Sequence, residues 1–494
     1  MTRGRPTPAA TVVAHLQRHA AEQPDAPAIV CVDRTVSYRE LRDGVAGCAA
    51  WLKAQGIEPG ERVGLSIADD RLHAIVALGL AAAGATHVVL PTHDAARARR
   101  RTAERVGARR VVVALPAHGL AELDNLAIDP ARADAWAGER RGELRGPDAS
   151  SLLTFFTTSG TTGEAKIIPV RHDAFARQTA RARVGRVLSL TPMEHAIAKR
   201  QLLYAVIRGS SVALRDRAET PIAQLCARLG VDIIASNAAR SKDLIGECLR
   251  SGRLPPGVEL TAAGSHTTAA FRCRLLEGVC DAVQVTYSMQ ECGSVARAVE
   301  RTPDEATSTV GRPHPGVEVV VADPDGTPLP AGEVGEIRIR ASGMAEGYLD
   351  DDEATARHFR DGWFLPGDLG TFTPEGALIV QGRADDVMIL NGIKIAPIEI
   401  ERALERHPGV RAVVAFPLRS PVHGEVPVAA VELVDGFAAD EHTLQRFARD
   451  VLGMRAPRRV IIVPALPTNA QGKIDLGRLA ELASSRGTPA GRAG

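Results

Sequence analysis

The chain has 494 residues, 45% of them apolar, and its 60 Lys and Arg nearly cancel its 59 Asp and Glu. Length allows about two to four domains with sizeable cores, and the balanced charge creates no global field toward nucleic acid or a membrane surface. Apolar runs are too short and interrupted to span a bilayer. Seven scattered cysteines without a C-x-x-C pair argue for reduced thiols in a cytoplasmic protein and against a zinc site or disulfide framework.

The N-terminal residues Met1-Thr2-Arg3-Gly4-Arg5-Pro6 lead into an amphipathic segment and not a signal-peptide h-region. Strands are predicted over 28–32, 62–66 and 110–115, with helices over 38–55 and 71–83, an alternation that marks a layered α/β domain. Seven arginines between positions 97 and 110 read as the solvated face of a helix. The polar segment 130–149 reads as an exposed connection. A strand over 152–156 then enters a loop rich in Gly, Ser and Thr. The α/β alternation resumes with strands over 187–191, 211–214, 231–235 and 283–286. Short runs over 317–322, 335–340 and 377–381, punctuated by Gly, Pro and Asp, have the grain of a β-rich subdomain. Past 385, helices over 397–406 and 440–451 and strands over 410–416 and 426–434 suffice for a separate α+β domain. The tail from Ser484 reads as disordered, and no internal repeat is present. The expected fold is α/β with α+β. Residues 1–384 form a large N-terminal domain of layered α/β subdomains plus the β-rich subdomain. Residues 385–494 form a small, mobile C-terminal α+β domain.

Six segments carry candidate chemistry. In Thr158-Ser159-Gly160-Thr161-Thr162-Gly163-Glu164-Ala165-Lys166, two glycines let backbone approach a ligand, while hydroxyls, amides and a lysine suit polyphosphate oxygens. The Walker spacing is absent, and a surface turn has the same composition. Tyr287-Ser288-Met289-Gln290-Glu291 places a carboxylate at the carboxyl end of a predicted strand, where α/β proteins bind ligands and where it could hold Mg²⁺. Asp368, after Trp363-Phe364-Leu365-Pro366-Gly367, suits either an Asx turn or a ribose diol. Gly382-Arg383-Ala384-Asp385-Asp386 separates the two domains. Asn391-Gly392-Ile393-Lys394-Ile395 leads into a Pro-initiated helix. Pro467-Thr468-Asn469-Ala470-Gln471-Gly472-Lys473-Ile474-Asp475 presents a lysine behind a glycine.

In order and spacing these segments resemble the adenylate-forming superfamily of acyl- and aryl-CoA ligases, peptide-synthetase adenylation domains and luciferases. The resemblance covers roughly residues 12–480, with weaker matches at Val36-Ser37-Tyr38-Arg39-Glu40-Leu41, Gly335-Glu336 and Gly347-Tyr348. It implies that a carboxylate attacks the α-phosphate of ATP, that pyrophosphate leaves, and that an acceptor then takes the acyl group. Thr158, Ser159, Gly160, Thr161, Thr162, Gly163 and Lys166 would grip the β- and γ-phosphates, and Glu291 would hold Mg²⁺. Tyr287 would pack on adenine, Asp368 would bind the ribose and Arg383 would support it. Gln290 stands where the family has a threonine touching the α-phosphate. Lys473 would bridge substrate carboxylate and nucleotide. Asp385 matches the hinge about which the C-terminal domain rotates, and Gly392 would line the thiol tunnel. The chain departs from the family pattern at Ala165, Ile167, Ser288, Gln290, Pro366 and Ile389.

For the acid, the resemblance implies a pocket lined by His195, Ser236, Asn237, Gly264, Ser265 and Ser288, with His195 as a gate. Amino-acid-activating members place an Asp beside that gate, and Glu194 here keeps an amino-acid substrate open. An acyl or aryl acid without an α-amine is the favoured reading. Lys199 and Arg200 read as solvated, although either turned inward could meet a second anionic group. The acceptor would be CoA or the phosphopantetheine of a separate carrier protein. The alternatives are an amine acceptor and a nucleotide-binding protein without catalysis. No nucleic acid or membrane partner is expected, and the protein is read as a monomer or homodimer.

Overall fold

The computed structural model describes residues 11–138, 143–158, 165–215, 220–262, 267–390, 393–420, 424–434, 436–468 and 474–485. Among these, the strands assemble two large, mainly parallel sheets, an antiparallel sheet and a small C-terminal unit. The first sheet has nine strands. Its parallel centre runs Ala282–Met289, Glu259–Ala262, Ile233–Ser236, Arg186–Ser189, Ser211–Ala213 and Pro27–Val30, with antiparallel strands at both edges. The second has six strands and ends on the antiparallel pair Leu152–Thr158 and Lys166–Arg171. Long buried runs such as Val63, Leu65, Val111 and Val112 fit parallel strands covered on both faces.

Helix Tyr38–Ala54 shows why the sequence breaks where it does. Ser37 Oγ accepts from the Glu40 amide while Glu40 accepts from the Ser37 amide at 2.7 Å, a capping box that satisfies two orphan donors at once. The same helix corrects the reading of 130–149 as an exposed connection. Helix Ala131–Gly138 packs on it through Trp136, which is 6% exposed. The indole fits because Gly47 leaves a groove: a Cβ there would lie 2.5 Å from Trp136 Cγ. A polar segment is thus anchored by one aromatic, whose truncation to alanine costs about 3–5 kcal/mol.

The arginine-rich helix, Ala96–Val106, is also only partly solvated. Arg99 is buried and donates to Ser66 Oγ and to the His118 carbonyl. Arg105 reaches the Ala165 carbonyl, and so fastens one end of the Gly/Ser/Thr loop.

The antiparallel sheet contains Val317–Ala322, Gly335–Ala341, Asp368–Phe372 and Leu378–Arg383. Beyond it, Val410–Ser420, Gly424–Leu433 and Arg459–Ile462 form a sheet covered by helices Pro397–Leu404 and Glu441–Leu452. This small unit touches the large one through Arg274, which donates to the Arg411 carbonyl at 2.8 Å. Helix Leu476–Ser485 extends two residues into the tail that was read as disordered. No described helix is long and apolar enough to cross a membrane.

Candidate active site

Strand Ala282–Met289 carries Tyr287 and Ser288 to the carboxyl end of the parallel sheet and delivers Gln290 and Glu291 just beyond it. Tyr287 is met there by a residue 81 positions later: its hydroxyl donates to Asp368 Oδ2 at 2.5 Å. Asp368 pairs across the antiparallel sheet with Arg383, whose Nη1 stands 3.6 Å from Asp368 Oδ1 and donates to the Pro366 carbonyl at 2.9 Å. Arg383 Nη2 also lies 3.7 Å from Asp385, and Arg357 pairs with that carboxylate at 3.3 Å. One guanidinium therefore connects the predicted ribose and hinge positions. Gly367 permits this closeness: its φ is +81°, and a Cβ would stand 3.0 Å from Arg383 Nη2. Burial raises both the Tyr287 hydroxyl and the Asp368 carboxyl above their usual ranges, which keeps Tyr287 a neutral donor.

Glu291 belongs to a second cluster. It is 6% exposed, and Oε1 accepts from the Tyr348 hydroxyl at 2.9 Å. Lys166 lies over the Tyr348 ring, 4.8 Å from its centroid, and donates to His358 Nε2 at 2.7 Å. His358 Nδ1 lies 2.7 Å from the Leu365 carbonyl, so that bond fixes the tautomer with Nε2 free to accept from an ammonium. Burial pushes Glu291 up, opposed by the Tyr348 bond and by the charges of Arg200 and Lys166. Burial pushes Lys166 down, opposed by Glu291. Tyr348 and His358 were missed as site residues. Tyr348 had a signal, since it is one of only four tyrosines and follows a glycine. His358, six residues after Asp352 in a helix of mostly exposed positions, had none.

Thr158 and Lys166 are cross-strand partners, so the intervening loop leaves and returns at one point of the sheet edge. The predicted site residues Ser159, Gly160, Thr161, Thr162, Gly163, Gly264, Ser265, Gly392 and Lys473 lie outside the described residues.

Lys199 and Arg200 are corrected: neither is solvated. Both lie on helix Ala196–Arg208 and are 4% and 8% exposed. Arg200 donates through Nε to Gln290 Oε1 and through Nη2 to the Gln290 carbonyl, both at 2.7 Å, and through Nη1 to Gln178. It is thereby the residue that sets the position of Gln290. Lys199 donates to Thr154 Oγ1 and the Phe155 carbonyl and stands 4.0 Å from the centre of the Phe156 ring. Burial lowers its ammonium to about 7. A lysine depressed on folding favours the folded state more as pH rises from about 7 toward 10.5, because the unfolded chain binds the extra proton. The melting temperature is therefore expected to rise across that window through this group. In Lys199→Met the slope flattens, as measured by calorimetry over the same pH range; an unchanged slope contradicts the assignment.

A pocket with about 150 Å³ of free volume opens between this helix and the sheet, walled by Ile197, Arg200, Tyr204, Thr286, Ser288 and Gln290 among others. Ser288 is the residue of the predicted acid pocket found in its wall. His195 is the residue before the same helix, its ring stacked on His93 at 5.2 Å; burial, then His93, lowers its pKa. Ser236 donates to the Asn237 carbonyl, and Asn237 caps helix Ala238–Ser251 by accepting from the Arg240 amide. Glu194 is turned to the Thr92 loop, accepting from its amide at 2.7 Å and its hydroxyl at 2.9 Å.

No described cluster of three or more His, Cys, Asp or Glu could cage a metal. The donor set still fits Mg²⁺. Glu291 is a buried carboxylate that accepts from Tyr348 through one oxygen, so it can offer an anionic oxygen to a cation. Mg²⁺ is held in this manner, by one or two carboxylates with phosphates and water.

The family model described as AMP-binding enzyme matches residues 16–349, and that of the AMP-binding enzyme C-terminal domain matches 399–473. The chain is 28% identical to the 3-[(3aS,4S,7aS)-7a-methyl-1,5-dioxo-octahydro-1H-inden-4-yl]propanoyl:CoA ligase of Mycobacterium tuberculosis, over 96% of this chain and 99% of that protein. It is 30% identical to the feruloyl-CoA synthase of an Amycolatopsis species, over 94% and 97%. ATP-bound MatB from Rhodopseudomonas palustris shares the fold with a TM-score of 0.83 at 23% identity, covering 97% of this chain and all of that one. With both family models matched in order and the first spanning well over half of its length, the chain belongs to the AMP-binding enzyme family.

Proposed function

We propose that the protein activates a carboxylic acid lacking an α-amine as its acyl-adenylate and passes the acyl group to the thiol of CoA or of a carrier-protein phosphopantetheine. The observation that carries this reading is the convergence of Tyr287, Asp368 and Arg383 with Glu291, Tyr348 and Lys166 around the end of one strand. Asp368 and Arg383 receive the ribose, and Tyr287 lies beside them for the adenine. Lys166 and the loop begun by Thr158 receive the β- and γ-phosphates. Gln290, steadied by Arg200, meets the α-phosphate. Glu291 holds Mg²⁺, which supplies charge neutralisation of the phosphates when bound. A substrate carboxylate oxygen then bonds to the α-phosphorus as the bond to the pyrophosphate oxygen breaks. In the second half-reaction a thiolate takes the acyl carbon and AMP leaves. Asp385 is the hinge between these states, and its ion pairs with Arg357 and Arg383 are exposed enough to exchange easily. The engagement of Glu194 with Thr92 supports an acid without an α-amine, since both carboxylate oxygens are already taken.

ATP–pyrophosphate exchange over a panel of acids tests the reading. Exchange stimulated by at least one acid is expected, with CoA or a carrier thioester found by mass spectrometry. Silence across the panel, with nucleotide still bound, means a binding protein, and an amide as sole product means an amine acceptor.

A further inference from the structure

The acid pocket is unusually basic. Arg181, Arg183, Arg200 and Arg297 all contribute to its wall, and no Asp or Glu does so among its described lining residues. Arg183 is neutralised by Glu259 and Arg200 acts on the charge of Glu291, but Arg181 and Arg297 have no carboxylate ion pair among the described residues. Arg200 is committed to Gln290 and Gln178 near the reacting end. Arg181 donates to the Cys292 and Ser342 carbonyls, while its buried Nε has no acceptor. The guanidinium of Arg297 makes no hydrogen bond or ion pair among the described residues. Arg181 and Arg297 are half-buried, so holding them without an anion carries part of the cost of an unpaired charge, and a ligand that brings the anion removes it.

The placement of Arg297 is fixed by the sheet. It lies on strand Gly293–Glu300 directly opposite Thr286, and cross-strand partners project to the same face. Thr286 and Ser288 both line the pocket, as alternate residues of a strand should. Three steps of strand lead from Thr286 to Met289, so the backbone of Arg297 lies about 10 Å along the sheet from the strand end that carries Gln290 and Glu291.

We propose that the acid substrate carries a second anionic group, a distal carboxylate about one ring or a medium chain away from the activated one, and that Arg297, with Arg181, receives it. This inference rests on the acid-activating reading above. The fixed fork of a guanidinium suits a carboxylate held by two parallel bonds. A site built to pair a buried charge discriminates strongly against analogues that lack it.

Exchange kinetics on matched pairs, octanoate against suberate and cinnamate against para-carboxycinnamate, test the proposal. The wild-type protein is expected to favour the diacid of at least one pair by about 10- to 100-fold in kcat/KM. Arg297→Met should reduce that ratio at least about tenfold, and Arg297→Lys, which keeps charge without the fork, should fall between. Calorimetric Kd values for the diacid should follow the same order. Exchange with monoacids but no diacid preference overturns the proposal and leaves acid activation standing. A diacid preference that survives Arg297→Met overturns the assignment to Arg297. Absence of exchange with every acid removes the acid-activating reading and this one together.

Discussion

Replacing Lys473 with alanine is expected to lower acid-dependent ATP–pyrophosphate exchange by about 10²–10³-fold, the scale of losing one preorganised charge from a developing anionic centre, while ATP binding changes only several-fold. The loop bearing this lysine is closed at its base. Thr468 bridges Ile474, and the Asp475 amide donates to the Pro467 carbonyl at 2.9 Å. Asp475 also accepts from the Arg478 amide and so caps the last helix. These bonds hold the flanking residues without calling on Lys473, and a melting temperature equal to wild type is part of the expectation. The proposed role is to bring substrate carboxylate and α-phosphate together, a positioning effect that ground-state nucleotide binding does not report. Transfer from a supplied acyl-adenylate to thiol should stay within a few-fold of wild type. Equal losses in exchange and nucleotide affinity would place Lys473 in ground-state binding and end its catalytic assignment.

What was legible in the sequence was punctuation at strand ends. Asp368 is legible as an acid after a glycine-containing turn, whereas Tyr287 and Arg383 are identified only through the resemblance to the family. The structure brings Tyr287 and Asp368 within 2.5 Å and pairs Asp368 with Arg383 across two strands. The capping box at Ser37 carries a sequence signature, Ser37 with Glu40 three residues on, inside a segment singled out only as a weaker family match. Less legible was anything decided by which way a helix faces. Lys199 and Arg200 look like solvated charges beside one another. Yet Lys199, Leu202, Leu203 and Val206 follow helical spacing on one buried face, and counting that period exposes the lysine as a core residue. Trp136 was hidden for the opposite reason: a polar neighbourhood concealed one aromatic whose groove, at Gly47, lies 89 positions earlier. The contacts of Lys166 with His358 and of Arg200 with Gln290 join residues 192 and 90 positions apart. Local pattern contains no term for such pairs.

Glu291→Gln is expected to cut exchange by about 10²-fold or more and to raise the Mg²⁺ concentration for half-maximal rate by about tenfold, with the melting temperature little changed. The substitution is isosteric, and an amide oxygen still accepts from the Tyr348 hydroxyl, now 2.9 Å from Oε1. Stability should change little, because the smaller desolvation cost of a neutral amide offsets the loss of the charge that faces Arg200 and Lys166. What the amide lacks is the full negative charge that makes one protein oxygen sufficient for a hard cation with phosphates and water. Tyr348→Phe provides the contrast. It leaves the carboxylate but removes the hydroxyl that orients it, so a smaller loss is expected, of about tenfold or less, with the Mg²⁺ dependence little changed. If Glu291→Gln exchanges pyrophosphate at the wild-type rate with unaltered Mg²⁺ dependence, the carboxylate serves only to balance Lys166 and Arg200. The cation must then be held entirely by the nucleotide.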